Sequence, residues 1–162
     1  MMKSNSTWII YNFLVAFSLY WAANLLLWIP WSIDPKLGIA MMLTIAPFLW
    51  GVGVYLCLAR FPGEKMLTGA AYNASILIVV AVVMDYIFFG LIRDAMQELY
   101  HPTTFYGYGF LIALPFIEML IFTKHFARHE KETQKKDFMV IGLLGLMALL
   151  LVILFAVFNF GL

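Results

Sequence analysis

Two carboxylic acids lie inside segments of this chain that are long and apolar enough to cross a lipid bilayer. Asp85 belongs to the third such segment and Glu118 to the fourth. A charged side chain at the bilayer centre costs about 3 kcal/mol on insertion scales, so an acid kept there usually faces the protein interior and has a partner or a function. The sequence therefore predicts that the chemistry of this protein depends on Asp85 and Glu118.

The two acids are placed symmetrically about His101-Pro102, which we predict to be the apex of the connection between their segments. If both helices leave this apex evenly, equal residue counts at about 1.5 Å per residue bring Asp85 and Glu118 to the same depth. Two neighbouring carboxylates in a medium of low dielectric constant cannot both ionise cheaply, so they would hold one proton between them. Such a pair suits a proton relay, a cation or amine site, or a general acid for lipid chemistry.

Other polar or helix-kinking residues fall at a comparable depth. Pro47 interrupts the second segment, and Pro115 precedes Glu118 by three residues, so backbone carbonyl groups would be freed toward a cavity. We therefore predict one pocket that binds a proton or a ligand. The residues that line it are Asp85, Glu118, Asn24, Thr44, Trp50 and Tyr86.

A purely structural role for the two acids is the alternative. Asp85 would then bond Asn24 or a tyrosine such as Tyr20, and Glu118 would bond Trp50 or a carbonyl group freed at Pro47. Polar bonds between membrane helices average only about 0.6 kcal/mol, so a network of this kind would fix helix packing and do little else.

Metal and cofactor signatures are weak or missing in the sequence. His125 and His129 have the i, i+4 spacing that can bind a metal, but no third ligand is placed with them, so we predict no metal site. The sequence contains no Walker loop, dinucleotide fingerprint or GxSxG motif. We predict no cofactor.

The composition identifies the class of protein, because 64% of the residues are hydrophobic and only 12% are charged, against about 25% charged in a soluble domain. A membrane-spanning helix needs about 20 apolar residues. Five stretches satisfy this requirement, namely 8–31, 39–59, 69–92, 106–123 and 138–158. We predict an all-α, polytopic membrane protein, a bundle of five transmembrane helices that forms a single domain over residues 1–162.

Basic residues predict the orientation of this bundle. With five spans, eight Lys and Arg residues fall on the side of the N-terminus and only Lys36 and Arg93 on the other. Cytoplasmic loops hold the excess, so we predict a cytoplasmic N-terminus and an outside C-terminus in a cell membrane, most simply a bacterial inner membrane. Aromatic residues at the span ends, Tyr108 among them, fit interfacial anchors. The five basic residues of the 124–137 linker would lie against membrane lipids, and a nucleic-acid partner has no support.

Two further patterns concern the organisation of the spans. Pro47-Phe48 and Ala59-Arg60 recur 68 positions later as Pro115-Phe116 and Ala127-Arg128. The match would imply a parallel 2+2+1 duplication, with spans one and two repeated as three and four. The fifth span has no polar side chain from 138 to 158, which is typical of a helix that faces lipid or packs in a dry contact, including a contact in a homo-oligomer.

The segment from Leu114 to Phe122, preceded by the membrane acid Asp85, resembles the Pro-x-Glu-Glu segment of the small integral-membrane lycopene cyclases. That resemblance implies acid-catalysed ring closure of an isoprenoid inside the membrane. It covers nine residues, and Ile117 stands where the family has its first glutamate. Because the chemistry should need that glutamate, we assign no family from this segment.

These observations predict a small membrane carrier, either proton-coupled or binding a cation or small molecule, because no recognisable nucleophile, metal set or cofactor motif accompanies the acids. An intramembrane enzyme that acts on a lipid or isoprenoid by acid catalysis is one alternative. A noncatalytic accessory subunit of a membrane complex is the other.

Overall fold

A computed structural model describes residues 5–128 and 133–158 of the chain. The described residues form α1 (Asn5–Ile33), α2 (Pro35–Leu58), α3 (Met66–Asp85), a π-helical segment (Tyr86–Ile92) that continues α3, α4 (Met96–Leu99), α5 (Pro102–Arg128) and α6 (Lys135–Val157). Five of these helices, with α3 and the π-helical segment taken together, are long and apolar enough to span a membrane. The prediction of an all-α, multi-pass membrane protein is confirmed.

Asp34 forms the tight junction between α1 and α2. Its backbone is extended, with a φ of −153°, and its side chain accepts a hydrogen bond of 2.9 Å from the backbone N–H of Lys36. Pro35 occupies the first position of α2, where its missing N–H costs nothing. The two helices therefore form an antiparallel hairpin. We call this end of the bundle the Asp34 end, and the opposite end, where α2 finishes, the Arg60 end.

Helix α1 has a central position in the bundle. It packs against α2, α3 and α6, while α3 also packs against α5 and α5 against α2. The helices α1, α2, α5 and α3 thus surround one core, and α6 lies outside this group along α1. Most side chains of α6 are exposed, and Gly145, Ala148 and Val152 are its buried residues.

Glycine permits the close approach of α6 to α1. A Cβ atom added at Gly145 would lie 2.9 Å from the Cα atom of Ser18, which is closer than real Cβ atoms come to such a neighbour. The hydroxyl of Ser18 is 2.8 Å from the carbonyl oxygen of Ile141 in α6. The fifth span is therefore fixed to the first by backbone proximity and a hydrogen bond as well as by apolar contacts.

An ion pair connects α2 and α6 at the Arg60 end. The guanidinium of Arg60 lies 3.4 Å from Asp137 and 5.1 Å from the ring centroid of Tyr11. The indole of Trp8 donates a hydrogen bond of 2.8 Å to the carbonyl oxygen of Cys57. These contacts hold the beginning of α1, the end of α2 and the beginning of α6 together.

The third span ends at Ile92, as predicted, but the connection that follows is not a symmetrical hairpin. Asp94 has a left-handed backbone with a φ of 50°. Arg93 forms an ion pair of 2.6 Å with Glu98 and lies over the ring of Trp28 at 5.3 Å. The connection thus occupies residues 93–101, and His101-Pro102 is the start of α5 and not the apex of a symmetrical hairpin.

Candidate functional site

Asp85 lies where α1, α3 and α5 meet. The hydroxyl of Tyr20 donates a hydrogen bond of 2.6 Å to Asp85 Oδ1, and the hydroxyl of Tyr108 donates one of 2.6 Å to Oδ2. Asp85 is 8% exposed. Both carboxyl oxygens are thus occupied, and each bond joins a different helix to α3.

Only one of the two tyrosines was predicted from the sequence as a partner of Asp85. Tyr20 was named as a partner of Asp85 in the structural alternative, and that contact is confirmed. Tyr108 was interpreted as an interfacial anchor, because it lies close to the end of its span. The structure turns its hydroxyl toward the acid instead. A tyrosine near a buried acid is the signal that could have identified it.

Asp85 and Glu118 do not form the predicted pair. Asp85 lies seven residues before the end of the third span at Ile92, whereas Glu118 lies sixteen residues after the start of α5 at Pro102. Tyr108 bonds Asp85, so these two residues lie at similar depths. Glu118 follows Tyr108 by ten residues, which is roughly 15 Å along a helix. The prediction of equal depth is wrong because the connection between the spans is centred several residues before Pro102.

Glu118 is buried between α5 and α2. The residue is 7% exposed, and its Oε2 atom has no hydrogen-bond partner among the described residues. A Cβ atom added at Gly51 of α2 would lie 3.3 Å from Glu118 Oε1, so the missing side chain of this glycine leaves room for the acid. The alternative in which Glu118 is held by hydrogen bonds to neighbouring helices therefore leaves one of its oxygens unexplained.

Aromatic contacts close the α2–α5 interface on the Arg60 side of Glu118. The ring of Tyr55, one turn beyond Gly51, lies 5.4 Å from the ring of Phe122 and 5.4 Å from that of Phe126. Phe122 is one turn beyond Glu118. Aromatic pairs at such distances and tilts attract one another. The two helices are therefore held together on the Arg60 side of Glu118.

The other residues of the predicted pocket are divided between the interior and the surface. Asn24 donates a hydrogen bond of 3.0 Å to the carbonyl oxygen of Tyr20, and Trp50, next to Gly51, is 8% exposed. Thr44 is exposed and donates to the carbonyl oxygen of Ala40 in its own helix. Tyr86, the first residue of the π-helical segment, is 59% exposed. The structure therefore does not bring all six residues to one pocket.

A buried amide pair was missed by the sequence analysis. Asn73 of α3 donates a hydrogen bond to Asn12 Oδ1 of α1, and Asn12 donates one of 2.8 Å to the carbonyl oxygen of Trp8. Both asparagines are at most 1% exposed. Two amides in otherwise apolar segments are themselves a signal, since polar groups in a membrane need partners.

The metal hypothesis falls partly outside the described residues, because His129 is not among them. Within residues 5–128 and 133–158, no three His, Cys, Asp or Glu side chains are grouped as metal ligands.

Comparison with known proteins does not supply a family. No protein-family profile matches the chain, and neither curated proteins nor solved structures give a match.

The geometry itself offers two distinct acidic sites. Asp85 accepts hydrogen bonds from two hydroxyls, each of which can also accept a hydrogen bond. Glu118 has a free oxygen in the middle of a helix pair.

Proposed function

We propose that the protein is a small membrane carrier in which Glu118 binds an exchangeable proton or a cationic ligand. The observation that supports the proposal is Glu118 Oε2, which lacks a hydrogen-bond partner although the residue is 7% exposed. An ionised carboxylate in the interior of a membrane protein is costly unless a partner compensates it. A proton on Glu118, or a cation beside it, provides that compensation.

A fixed basic partner would argue for a structural ion pair instead. Among the described residues, ion pairs join Arg60 to Asp137 and Arg93 to Glu98, and neither involves Glu118. An acid without a permanent counter-charge can exchange a proton for a cation, which a coupled carrier requires.

The position of Glu118 along its helix also supports the proposal. It lies sixteen residues from one end of α5 and ten from the other, so it is near the middle of the span. Substrate and coupling-ion sites of transporters commonly lie near the bilayer midplane, at helices that prolines or unwound turns interrupt. Pro115 lies inside α5, three residues before Glu118, and removes one backbone hydrogen bond there.

Asp85 has a different part in this proposal. Its two tyrosine bonds hold α1, α3 and α5 together, so we assign it the task of positioning the helices around Glu118. The exchanging group is then Glu118 alone, whereas the sequence analysis had assigned that task to both acids.

Proton exchange in reconstituted vesicles tests the proposal. Proteoliposomes with an acidic interior and a trapped pH-sensitive dye receive Na⁺, K⁺, tetramethylammonium or tetraphenylphosphonium outside, one cation at a time. We expect at least one of these cations to dissipate the pH gradient with the wild-type protein. The variant Glu118→Gln should not respond, because an amide keeps the shape of the side chain but has no exchangeable acid proton.

Glu64→Gln is the matched control, since Glu64 is an exposed acid in the connection between α2 and α3 and should behave as wild type. The proposal is wrong if none of the four cations dissipates the gradient, or if Glu118→Gln dissipates it as fast as the wild-type protein does.

A further inference from the structure

The contact between α2 and α5 is built differently on the two sides of Glu118. Toward the Arg60 end, Tyr55 packs against Phe122 and Phe126. Toward the Asp34 end, residues 39–49 of α2 and residues 102–110 of α5 contain no buried residue. On the Asp34 side of the acid, α2 thus has no buried residue from 39 to 49, whereas α5 is still buried at Leu111, Leu114 and Pro115.

Both helices also carry a proline at the same level. Pro47 lies one turn before Gly51, and Pro115 lies one turn before Glu118. A proline removes one backbone hydrogen bond from its helix, so the helix bends most easily there. The half of α2 between the Asp34 end and Pro47 can thus bend away from α5 without disturbing the aromatic contacts of Tyr55 or the bond between Tyr108 and Asp85.

The exposed surface of α2 and α5 beside their contact is apolar. Phe48 on α2 is 73% exposed, and Ile117 and Ile121 on α5 are 48% and 66% exposed. In a spanning helix such side chains face lipid tails. A molecule that approaches Glu118 between α2 and α5 would therefore come from the bilayer, and it would need apolar groups of its own.

We infer that Glu118 binds a lipophilic monovalent cation that enters from the bilayer between α2 and α5, past Gly51. This inference rests on the proposed function and names its class of ligand. One unpartnered carboxyl group matches one positive charge. The rings of Trp50, Tyr55 and Phe122 near the α2–α5 contact suit the apolar arms of such a cation, and aromatic faces attract cations. Gly51 keeps the approach open because it has no side chain.

Binding of tetraphenylphosphonium measures this directly. Equilibrium dialysis of the radiolabelled cation against the purified full-length protein in detergent micelles, with protein-free micelles subtracted, should give one saturable site. We expect Glu118→Gln and Gly51→Leu each to weaken binding by roughly tenfold or more, since the first removes the charged partner and the second fills the space beside Glu118 Oε1 where the cation binds. Tetramethylammonium has the same charge and much less apolar surface, so it should compete poorly.

Two variants keep the test specific. Val52→Phe adds four carbon atoms, as many as Gly51→Leu does, at the neighbouring position, where the side chain is 43% exposed, and should leave binding unchanged. Gly51→Ala adds one methyl group 3.3 Å from Glu118 Oε1, so it should weaken binding by less than Gly51→Leu does and serves if the leucine variant does not fold.

The outcomes separate this inference from the proposed function. Proton exchange that depends on Glu118 and is driven by Na⁺, K⁺ or tetramethylammonium, together with no binding of tetraphenylphosphonium, would overturn the ligand class and leave the carrier standing. Unchanged binding in Gly51→Leu would overturn the position of the cation beside Gly51, and with it the entry past that residue. Unchanged binding in Glu118→Gln would overturn the site.

Discussion

The hydroxyl of Tyr108 donates a hydrogen bond of 2.6 Å to Asp85 Oδ2, and this bond joins the beginning of α5 to the end of α3. Tyr108 is six residues into α5, and Asp85 is seven residues from the end of the third span. The bond therefore fixes which levels of the two helices meet. It also places Glu118, ten residues farther along α5, at another depth.

Loss of the Tyr108 hydroxyl should weaken the bundle. In Tyr108→Phe one oxygen of the buried Asp85 loses its donor while the ring remains, so we expect the free energy of unfolding to fall by about 1 kcal/mol. Interhelical polar contacts in a membrane protein average about 0.6 kcal/mol and reach about 1.7 kcal/mol. Reversible unfolding in mixed micelles measures the change.

Tyr106→Phe is the control for this measurement, because Tyr106 lies two residues before Tyr108 and is 76% exposed. Equal stability of the two variants would show that the hydrogen bond of Tyr108 contributes nothing.

The number and extent of the spans could be predicted from the sequence because they depend on properties that add along the chain. Apolar length fixes where a helix can cross the bilayer. The relative depth of Asp85 and Glu118 could not be predicted in this way. It depends on where the connection between their helices starts, and that is set by the left-handed turn at Asp94 and the packing of Arg93 over Trp28.

Helix rotation explains the remaining differences at the site. Hydropathy does not determine which face of a uniformly apolar helix is buried, because every face is apolar. Thr44 and Tyr86 were assigned to the pocket on depth alone, and rotation places them on the surface. Trp50 was assigned on the same grounds and is buried.

The buried pair Asn12 and Asn73 should couple α1 to α3. We expect Asn12→Ala and Asn73→Ala to destabilise the protein by less in combination than the sum of their separate effects, with a coupling energy of about 0.6 kcal/mol. A double-mutant cycle on unfolding free energies gives this number. Ser75→Ala, which removes a hydroxyl bonded only to Ala71 of its own helix, replaces Asn73→Ala in the control cycle and should show no coupling to Asn12→Ala.

Packing of α6 on α1 should depend on one of the two glycines of α6. A methyl group at Gly145 would meet the backbone of Ser18 at 2.9 Å, whereas one at Gly142 would find its nearest neighbour, Leu14, at an ordinary 3.6 Å. We therefore expect Gly145→Ala to lower the free energy of unfolding by about 1–3 kcal/mol, as overpacking does. Gly142→Ala should be neutral or slightly stabilising, because alanine favours the helix.

Unfolding of both variants under the same conditions decides the point. If Gly145→Ala is as stable as Gly142→Ala, the close approach of α6 to α1 does not exist in the folded protein.

The orientation of the bundle can be measured with introduced cysteines. The native thiol of Cys57 is 1% exposed and should not react, so a cysteine at an exposed position reports alone. Gln134 and Lys36 are both exposed and lie at opposite ends of the bundle. Eight of the ten basic residues share the side of Gln134, which predicts that this side is cytoplasmic. An impermeant maleimide added to intact cells should therefore label Lys36→Cys and leave Gln134→Cys unmodified until the membrane is permeabilised. Labelling of Gln134→Cys in intact cells, with Lys36→Cys protected, would invert the topology.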